Sequence, residues 1–187
     1  MQLVTPAPEH LPSYLDALRR GWAWDNGEHE SAQEAITRIT ADPERFLALM
    51  DDREAAGGPV EMPDGSFVPR LPGLRRWMWD GEFAGSLSLR WQPGTTDLPP
   101  TCLGHIGYAV VPWKQRRGYA TAALAAILPV AAAEGLTFVE ITTDLDNVAS
   151  QRVIEANGGG PPERFTKVDV HGGGEALRYR IDLARWR

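Results

Sequence analysis

The stretch His105–Ala120, which reads HIGYAVVPWKQRRGYA, carries most of the information about the fold. Its first half, His105–Val111, is an apolar run typical of a buried strand, and Pro112–Lys114 predicts a turn after it. Gly118 then precedes an alanine-rich helix, whose first N–H groups have no partner within the helix. The glycine lets a ligand approach the backbone closely, while the helix dipole and the basic side chains favour negative charge. We expect a diphosphate group to bind at this loop.

The spacing of glycines in the loop excludes the two common nucleotide motifs. A P-loop requires Gly-x-x-x-x-Gly-Lys-Ser/Thr, which occurs nowhere in the chain, and a dinucleotide fingerprint requires three glycines where this segment has one. Considered alone, the loop also fits an ordinary strand-to-helix turn with solvated arginines. A second segment decides between these two interpretations.

That segment begins with the β-branched run Leu136–Thr143, which predicts another strand. Asp146 or Asn147 can then cap a helix, and Asn157-Gly158 can end it in a left-handed turn. The interval between the loop and this segment suits one helix and one strand. The order is therefore strand, helix, strand, helix.

The two segments together resemble the signatures of the GNAT superfamily of acetyl-CoA-dependent N-acetyltransferases. The first signature, Gln/Arg-x-x-Gly-x-Gly/Ala after a strand, is matched at Gln115, Gly118 and Ala120. The second is a strand followed by Asn-x-x-Ser/Ala, a short helix and a glycine, and it is matched from Asn147 onward. The resemblance covers roughly residues 71–183 and is strongest over 104–159. It implies that acetyl-CoA, as co-substrate, lies in a splay between the two central strands.

The rest of the chain predicts further helices and hairpins around this unit. The predicted elements are a strand at 2–4, helices over 9–20, 31–40 and from 42 to about 53, a loop over 55–70 with room for a short hairpin, strands over 75–79 and 83–91, and a hairpin over 165–183. Pro129 is expected to kink or split the alanine-rich helix. This order predicts an α+β fold (an α/β sandwich), with a mixed, mostly antiparallel sheet and helices on both faces. We expect a single domain over residues 1–187, with 71–183 as its core and 1–70 contributing to the acceptor site.

The resemblance also assigns residues to the cofactor. In GNAT proteins, backbone N–H groups of the strand before the loop bind the pantetheine and polarise the thioester carbonyl, and here they belong to Ala109, Val110 and Val111. Asn147 and Ser150 are expected along the pantetheine arm and near the sulfur. The diphosphate is assigned to the loop and the first helical turn, which comprise Gln115, Arg116, Arg117, Gly118, Tyr119, Ala120 and Thr121.

Acyl transfer to an amine requires a proton acceptor, because a lysine-like amine with a reference pKa near 10.4 is only about 0.04% neutral at pH 7. His105, at the start of the strand before the loop, is the first candidate base, since a neutral imidazole accepts a proton near pH 7. Glu140, or a water held by backbone carbonyls, is the alternative base. The competing interpretation of His105 is a hydrogen-bonded structural residue.

The chain departs from the family at its usual general acid. Many GNAT members carry a tyrosine seven residues after the helix-starting asparagine, and Ile154 stands there in this chain. Ser150 is the candidate proton donor in its place, with helix capping or a cofactor contact as the alternative. Tyr108 is assigned to the core and Tyr119 to the diphosphate loop. The missing tyrosine keeps a non-catalytic acyl-CoA-binding module open as a second function, and transfer of a longer acyl group is a third.

The resemblance implies an acceptor site built from the first helices, their connection and the C-terminal hairpin. The connection here is Trp22–Glu30, whose two tryptophans and three carboxylates could hold a cationic amine. The alternative is a solvated acidic loop with its tryptophans turned into the core. The net charge of −6 argues against a nucleic-acid partner and weakly favours a cationic acceptor among small-molecule and peptide amines.

Composition narrows the setting further. The single Cys102 cannot form an internal disulfide, which favours a reducing compartment, and we expect a cytoplasmic protein. No long apolar run and no basic-then-apolar start is present, so we expect neither a membrane span nor a signal peptide. No pair of histidines has metal-ligand spacing, so we expect no metal. Monomer and homodimer both stay open.

Overall fold

The computed structural model of the chain describes residues 1–23, 30–62 and 64–186. The helices are α1 (Leu11–Arg19), α2 (Ala32–Ala41), α3 (Pro43–Ala48), α4 (Tyr119–Ala133) and α5 (Val148–Glu155). The strands are β1 (Gln2–Val4), β2 (Asp51–Asp52), β3 (Val60–Glu61), β4 (Phe67–Val68), β5 (Gly73–Trp79), β6 (Phe83–Arg90), β7 (Ile106–Val110), β8 (Phe138–Asp144), β9 (Glu163–Thr166) and β10 (Glu175–Asp182). Single 3-10 turns lie at Pro8–His10, Pro112–Lys114, Asp169–His171 and Ala184–Trp186.

The strands form two main sheets. The first has the order β1–β5–β6–β7, with β2 also paired to β5, and the second has the order β8–β10–β9. Strands β3 and β4 form a small separate hairpin. Every strand pairing within the described ranges is antiparallel. The prediction of an α+β fold with mostly antiparallel strands is confirmed.

The two central strands, β7 and β8, belong to different sheets and part from one another. Near the start of β7, a backbone hydrogen bond connects the two strands: the His105 N–H donates to the Glu140 carbonyl oxygen of β8 at 2.8 Å. Towards the carboxyl ends of the two strands, no ladder pairs them within the described residues. A gap opens there, next to the start of α4 and the start of α5.

Two apolar cores lie on opposite faces of the first sheet. Trp77 belongs to the core under α1, α2 and α3, while its neighbour Met78 belongs to the core under α4. Side chains alternate between the faces of a strand, so successive residues of β5 enter different cores. Both side chains are fully buried, and each such burial contributes about 1.5–3 kcal/mol. Helices therefore cover both faces, as the sequence predicts.

Local signals explain where several helices begin and end. Ser31 caps α2 with the predicted capping box: its hydroxyl accepts the Glu34 N–H at 3.2 Å, and the Glu34 carboxylate accepts the Ser31 N–H at 2.9 Å. Gly158 follows α5 in the left-handed region with φ +87°. Both predictions are confirmed.

Two element boundaries differ from the sequence prediction for tertiary reasons. Helix α3 ends at Ala48 and not near Arg53, because Asp51 and Asp52 pair with β5 as a short strand. Helix α4 continues through Pro129, so of the two effects predicted for this proline, a kink or a split, the split does not occur. Its apolar side chains on both sides of the proline are buried, including Leu124, Ile127, Leu128 and Ala131, and this packing outweighs the lost backbone hydrogen bond.

No helix in the described ranges combines the length and the apolar character that a bilayer crossing requires. The same ranges contain no group of three His, Cys, Asp or Glu side chains placed to hold a metal ion.

Candidate active site

The loop between β7 and α4 has two residues in the left-handed region. Arg116 has φ +62° and Gly118 has φ +75°, and Gly118 is the N-cap of α4. The first hydrogen bond of the helix runs from the Ala122 N–H to the Gly118 carbonyl oxygen at 3.0 Å. The N–H groups of Tyr119, Ala120 and Thr121 therefore have no partner within the helix. Alternating backbone conformations of this kind form concave anion sites.

The space in front of Gly118 is open. A Cβ built on Gly118 meets no atom within 4 Å, so the glycine is required by its backbone conformation and not by crowding within the chain. Gln115, Arg116 and Arg117 are exposed, and neither arginine has a carboxylate partner in the described part of the chain. The loop thus combines unpaired N–H groups, two free positive charges and open space, which is the arrangement that a diphosphate needs.

A buried ion pair between Lys114 and Asp80 connects the residues before this loop to the β5–β6 turn. The Lys114 side chain is 8% exposed, and its Nζ lies 2.6 Å from Oδ1 of Asp80 in the β5–β6 turn. The Tyr119 hydroxyl donates to the other carboxylate oxygen of Asp80 at 2.7 Å. Burial alone would raise the pKa of Asp80, but these two hydrogen bonds and the Lys114 charge hold the pKa below its ordinary value. Tyr119 therefore positions the loop through its hydroxyl.

The gap between β7 and β8 contains a cavity of about 300 Å³. Tyr108 of β7, Thr143 of β8, and Asn147 and Ser150 at the start of α5 all line it. Asn147 caps α5 as predicted, because its Oδ1 accepts the Ser150 N–H at 3.0 Å. The Thr143 hydroxyl is buried and has no hydrogen-bond partner among the described residues. A buried hydroxyl without a partner is costly, so this one fits a polar ligand in the cavity.

The Ser150 hydroxyl forms a hydrogen bond of 2.8 Å with the Tyr108 hydroxyl. Burial raises the pKa of Tyr108 to about 12, and the Ser150 hydrogen bond offsets this only in part. Tyr108 therefore stays protonated across the physiological range and can donate. The sequence alone assigned Tyr108 to the core; its partner lies 42 residues further along the chain, and no local pattern reveals that contact.

The three amides predicted to bind the thioester region are not equivalent. The Val111 N–H donates to the Ala84 carbonyl oxygen of the neighbouring segment at 3.0 Å, so it is already used within the sheet. Backbone groups of an antiparallel strand alternate in direction, and the same register directs Ala109 towards β6. Val110 is directed away from β6, towards the gap.

His105 is fully buried, and both of its ring nitrogens have partners. Nδ1 accepts the Glu140 N–H at 2.9 Å, and Nε2 lies 2.8 Å from the Thr96 carbonyl oxygen. These partners require a neutral ring with its proton on Nε2. Burial lowers the pKa of His105 despite these hydrogen bonds. With no free lone pair, His105 does not fit the predicted role of base and instead ties the proline-rich loop and β8 to β7.

Glu140, the alternative base, also has other partners. Its Oε1 accepts from Arg180 at 2.8 Å, and its Oε2 lies 3.8 Å from Nε of Arg178. Glu140 does not line the cavity between β7 and β8, nor the larger cavity described below. Ile154, in the usual position of the general acid, is fully buried in the core under α4. Among the predicted catalytic residues, Ser150 is thus the one that faces the gap.

A larger cavity of about 550 Å³ adjoins the first. The two cavities share part of their walls, namely Leu103, Ile106, Gly107 and Thr142. The larger one lies between β5, β6, the hairpin β3–β4 and the 99–104 segment. The chain therefore has two connected cavities, a smaller one between β7 and β8 and a larger one between β5, β6 and the β3–β4 hairpin.

Of the connection Trp22–Glu30, where the acceptor site is predicted, the structure describes the two ends. Trp22 is buried against Tyr14 and Phe83, and Glu30 forms an ion pair with Arg38 at 2.7 Å. Residues 24–29, with the second tryptophan and two of the carboxylates, lie outside the described residues.

Comparison with known proteins agrees with this geometry. A family model described as an acetyltransferase (GNAT) domain matches residues 1–159. No curated protein sequence matches the chain. Among solved structures, the ribosomal L7/L12 alpha-N-protein acetyltransferase RimL with coenzyme A has a TM-score of 0.62 at 17% identity, covering 96% of this chain and 92% of that one.

Two further structures are similar to the chain. The microcin C7 self-immunity acetyltransferase MccE, with acetyl-CoA and AMP, has a TM-score of 0.60 at 16% identity, covering 96% and 91% of the two chains. A spermidine N-acetyltransferase chimera from Vibrio cholerae and hSSAT has a TM-score of 0.60 at 11% identity, covering 100% and 99%. At these identities the structures show a shared fold.

Proposed function

Because the chain belongs to the GNAT acetyltransferase family, we propose that it transfers an acetyl group from acetyl-CoA directly to a primary amine of a small molecule or peptide in a ternary complex. The observation that carries this proposal is the gap between β7 and β8. At one end it has the Gly118 loop, with open space in front of the first N–H groups of α4, and within its cavity it has the Tyr108–Ser150 hydroxyl pair. A diphosphate at the loop and a thioester beside the hydroxyls fit that order.

The chain's own groups suit acetyl-CoA along the length of the gap. The free N–H groups at the start of α4, with Arg116 and Arg117, would hold the diphosphate, and Gln115 borders the same loop. The buried Thr143 hydroxyl lacks a partner among the described residues and would bond the pantetheine arm. The Val110 N–H, directed into the gap, would polarise the thioester carbonyl.

Transfer would proceed by attack of the neutral amine on the thioester carbon. The carbon–sulfur bond then breaks, and the departing thiolate would take a proton from the Ser150 hydroxyl, which Tyr108 resupplies through their 2.8 Å hydrogen bond. The proton that the amine releases to water would return to Tyr108, so both hydroxyls end the cycle protonated. A thiolate is a tolerable leaving group because a thiol pKa lies near 8.5. The proton donor therefore assists the reaction but is not indispensable, and we expect its loss to lower kcat about tenfold.

The proton that the amine loses would go to water held by backbone carbonyls. His105 and Glu140 stay predictions for this role, but the hydrogen bonds of His105 and the ion pairs of Glu140 weigh against both. Held water needs no titratable side chain, and backbone of both β7 (106–108) and β8 (141–144) lines the smaller cavity.

Residues 1–70 would contribute to the acceptor site within a single domain, since Asp52 and Met62 line the larger cavity. A cytoplasmic location, the choice between monomer and homodimer, and the acyl-chain length stay predictions of the sequence.

The competing function is a non-catalytic acyl-CoA-binding module, and the burial of Ile154 where relatives place an acid favours it. Turnover of acetyl-CoA with a panel of primary amines separates the two. Thiol release far above the rate without enzyme, with an acetylated product, supports transfer. Saturable acetyl-CoA binding without turnover of any amine supports the binding module.

A further inference from the structure

The larger cavity has an excess of positive charge that contrasts with the net charge of −6 for the whole chain. Three arginines and two acidic residues line it: Arg70, Arg75, Arg90, Asp52 and Glu61. The Asp52 carboxylate is already occupied, because it accepts the Ala56 and Gly57 N–H groups at 2.7 and 3.0 Å and lies 3.9 Å from Nε of Arg70. Glu61 is exposed on the β3–β4 hairpin. The remaining wall carries Arg75 and Arg90.

Arg90 has no carboxylate partner in the described part of the chain. Its side-chain hydrogen bond there runs from Nη2 to the Ser88 hydroxyl of the same strand, at 3.1 Å. The residue is half-buried, so water solvates its charge only in part. A guanidinium in this situation gains from a planar anion, to which it can donate two parallel hydrogen bonds.

The position of this guanidinium relates it to the reaction. Ser88, which it contacts, pairs with Gly107 of β7 on one side and with Arg75 of β5 on the other. Directly opposed side chains share a face of the sheet, so Arg75 and Arg90 project to the same side. Neighbouring strands are about 4.8 Å apart, and Gly107 lines both cavities. Ser88, whose hydroxyl the guanidinium contacts, is therefore about one strand spacing from Gly107, where the two cavities meet.

On the premise that the chain transfers acetyl groups in this gap, we infer that its acceptor is an amine that carries a carboxylate or phosphate a few bonds from the nitrogen. Arg90, with Arg75 beside it, binds that anionic group and so directs the amine towards the thioester. The expectation of a cationic acceptor rested on the charge of the whole chain and on the Trp22–Glu30 connection, whereas this inference rests on the charge of the larger cavity's wall.

Matched pairs of amines test this inference. β-Alanine is compared with β-alaninamide, and ethanolamine phosphate with ethanolamine, each as kcat/KM corrected for the fraction of free amine. We expect the wild type to prefer the anionic member of at least one pair by about 10- to 100-fold, the range for a hydrogen-bonded charge pair. The pair with the larger ratio shows whether carboxylate or phosphate is the group recognised.

Variants then connect the preference to Arg90. Arg90→Gln should bring the ratio within each pair close to one, and Arg90→Lys, which keeps the charge, should restore part of the preference. Arg164→Gln is the control, because Arg164 is exposed on β9 and lines neither cavity. A wild-type preference for the neutral members, or a ratio that Arg90→Gln leaves unchanged, would overturn the inference.

Calorimetry with the same amines keeps this test separate from the test of acetyl transfer. Binding of the anionic amines to the wild type in the presence of coenzyme A, weakened by Arg90→Gln and not by Arg164→Gln, supports recognition by Arg90 even if no amine is acetylated. In that case acetyl transfer alone is contradicted. Turnover without any preference for anionic amines leaves acetyl transfer in place and overturns the inference.

Discussion

Replacing Gly118 by valine should abolish acetyl-CoA binding while the domain still folds. Gly118 caps α4 with φ +75°, and a Cβ there meets no atom of the chain within 4 Å. The substitution therefore lowers the unfolding free energy of the ligand-free protein only through backbone strain, which is about 1–2 kcal/mol for a residue with a Cβ in the left-handed region. In a chain of this size that corresponds to a fall in Tm of about 2–8 °C.

The loss of binding should be much larger than the loss of stability. The valine side chain would occupy the space in front of the first N–H groups of α4, where we place the diphosphate. If two hydrogen bonds to phosphate are lost, each at about 1.5–3 kcal/mol, affinity falls by about 3–6 kcal/mol, or roughly 10²- to 10⁴-fold.

Gly135→Val is the matched control. Gly135 follows the other end of the same helix, has φ +88°, and likewise has no atom within 4 Å of a built Cβ. Both variants should show similar losses of Tm in thermal unfolding, but only Gly118→Val should lose acetyl-CoA binding in calorimetry. Native affinity in Gly118→Val, or an equal loss of affinity in Gly135→Val, would refute the assignment of the diphosphate to this loop.

Three further predictions concern the gap and its walls. Because burial lowers the pKa of His105, the unfolded state binds a proton more readily than the folded state, so the unfolding free energy should fall as pH drops below about 6.5. Urea titrations should show this slope flattened in His105→Gln, whereas a 10²-fold loss of kcat with unchanged stability in that variant would restore His105 as the base. Ser150→Ala should lower kcat about tenfold, and Tyr108→Phe should add little to it in a double-mutant cycle, since the two hydroxyls act through one hydrogen bond; fully additive losses would show that they act separately. Asn147→Ala should raise KM for acetyl-CoA more than KM for the amine in steady-state kinetics, because Asn147 caps the helix that borders the cofactor cavity; an effect confined to the amine would place it in the acceptor site.

The features that the sequence predicted well depend on neighbours in the chain. The strand, turn and alanine-rich helix around Gly118 predicted that a helix begins after it, and the position of Asn147 predicted that it caps α5. The two residues of the Ser31–Glu34 capping box are only three positions apart. In each case a local backbone requirement selects a residue type, so the residue type reveals the requirement.

The features that the sequence did not predict depend on partners far along the chain. The two ring nitrogens of His105 are occupied by Thr96 and by Glu140, which is 35 residues away, and no local pattern reveals these contacts. The arginines in the wall of the larger cavity meet because strand register places Ser88 between Gly107 and Arg75, while the Asp52 carboxylate is bonded to nearby backbone N–H groups. Neither outcome follows from composition, since a net charge of −6 favours the opposite acceptor.

Pro129 illustrates the same limit for secondary structure. Its effect on an isolated helix is unfavourable by about 3 kcal/mol, yet α4 continues through it to Ala133. The burial of the flanking apolar side chains supplies more than that amount. A prediction from propensity alone does not include this tertiary term.

A crystal structure of the protein with acetyl-CoA would test the central claim most directly. The account predicts the diphosphate against the N–H groups of Tyr119, Ala120 and Thr121, the pantetheine arm between β7 and β8 within reach of Thr143, and the sulfur beside Ser150. The larger cavity with Arg75 and Arg90 should stay open for the acceptor. Acetyl-CoA found in that larger cavity, or on any surface away from the Gly118 loop, would contradict the account.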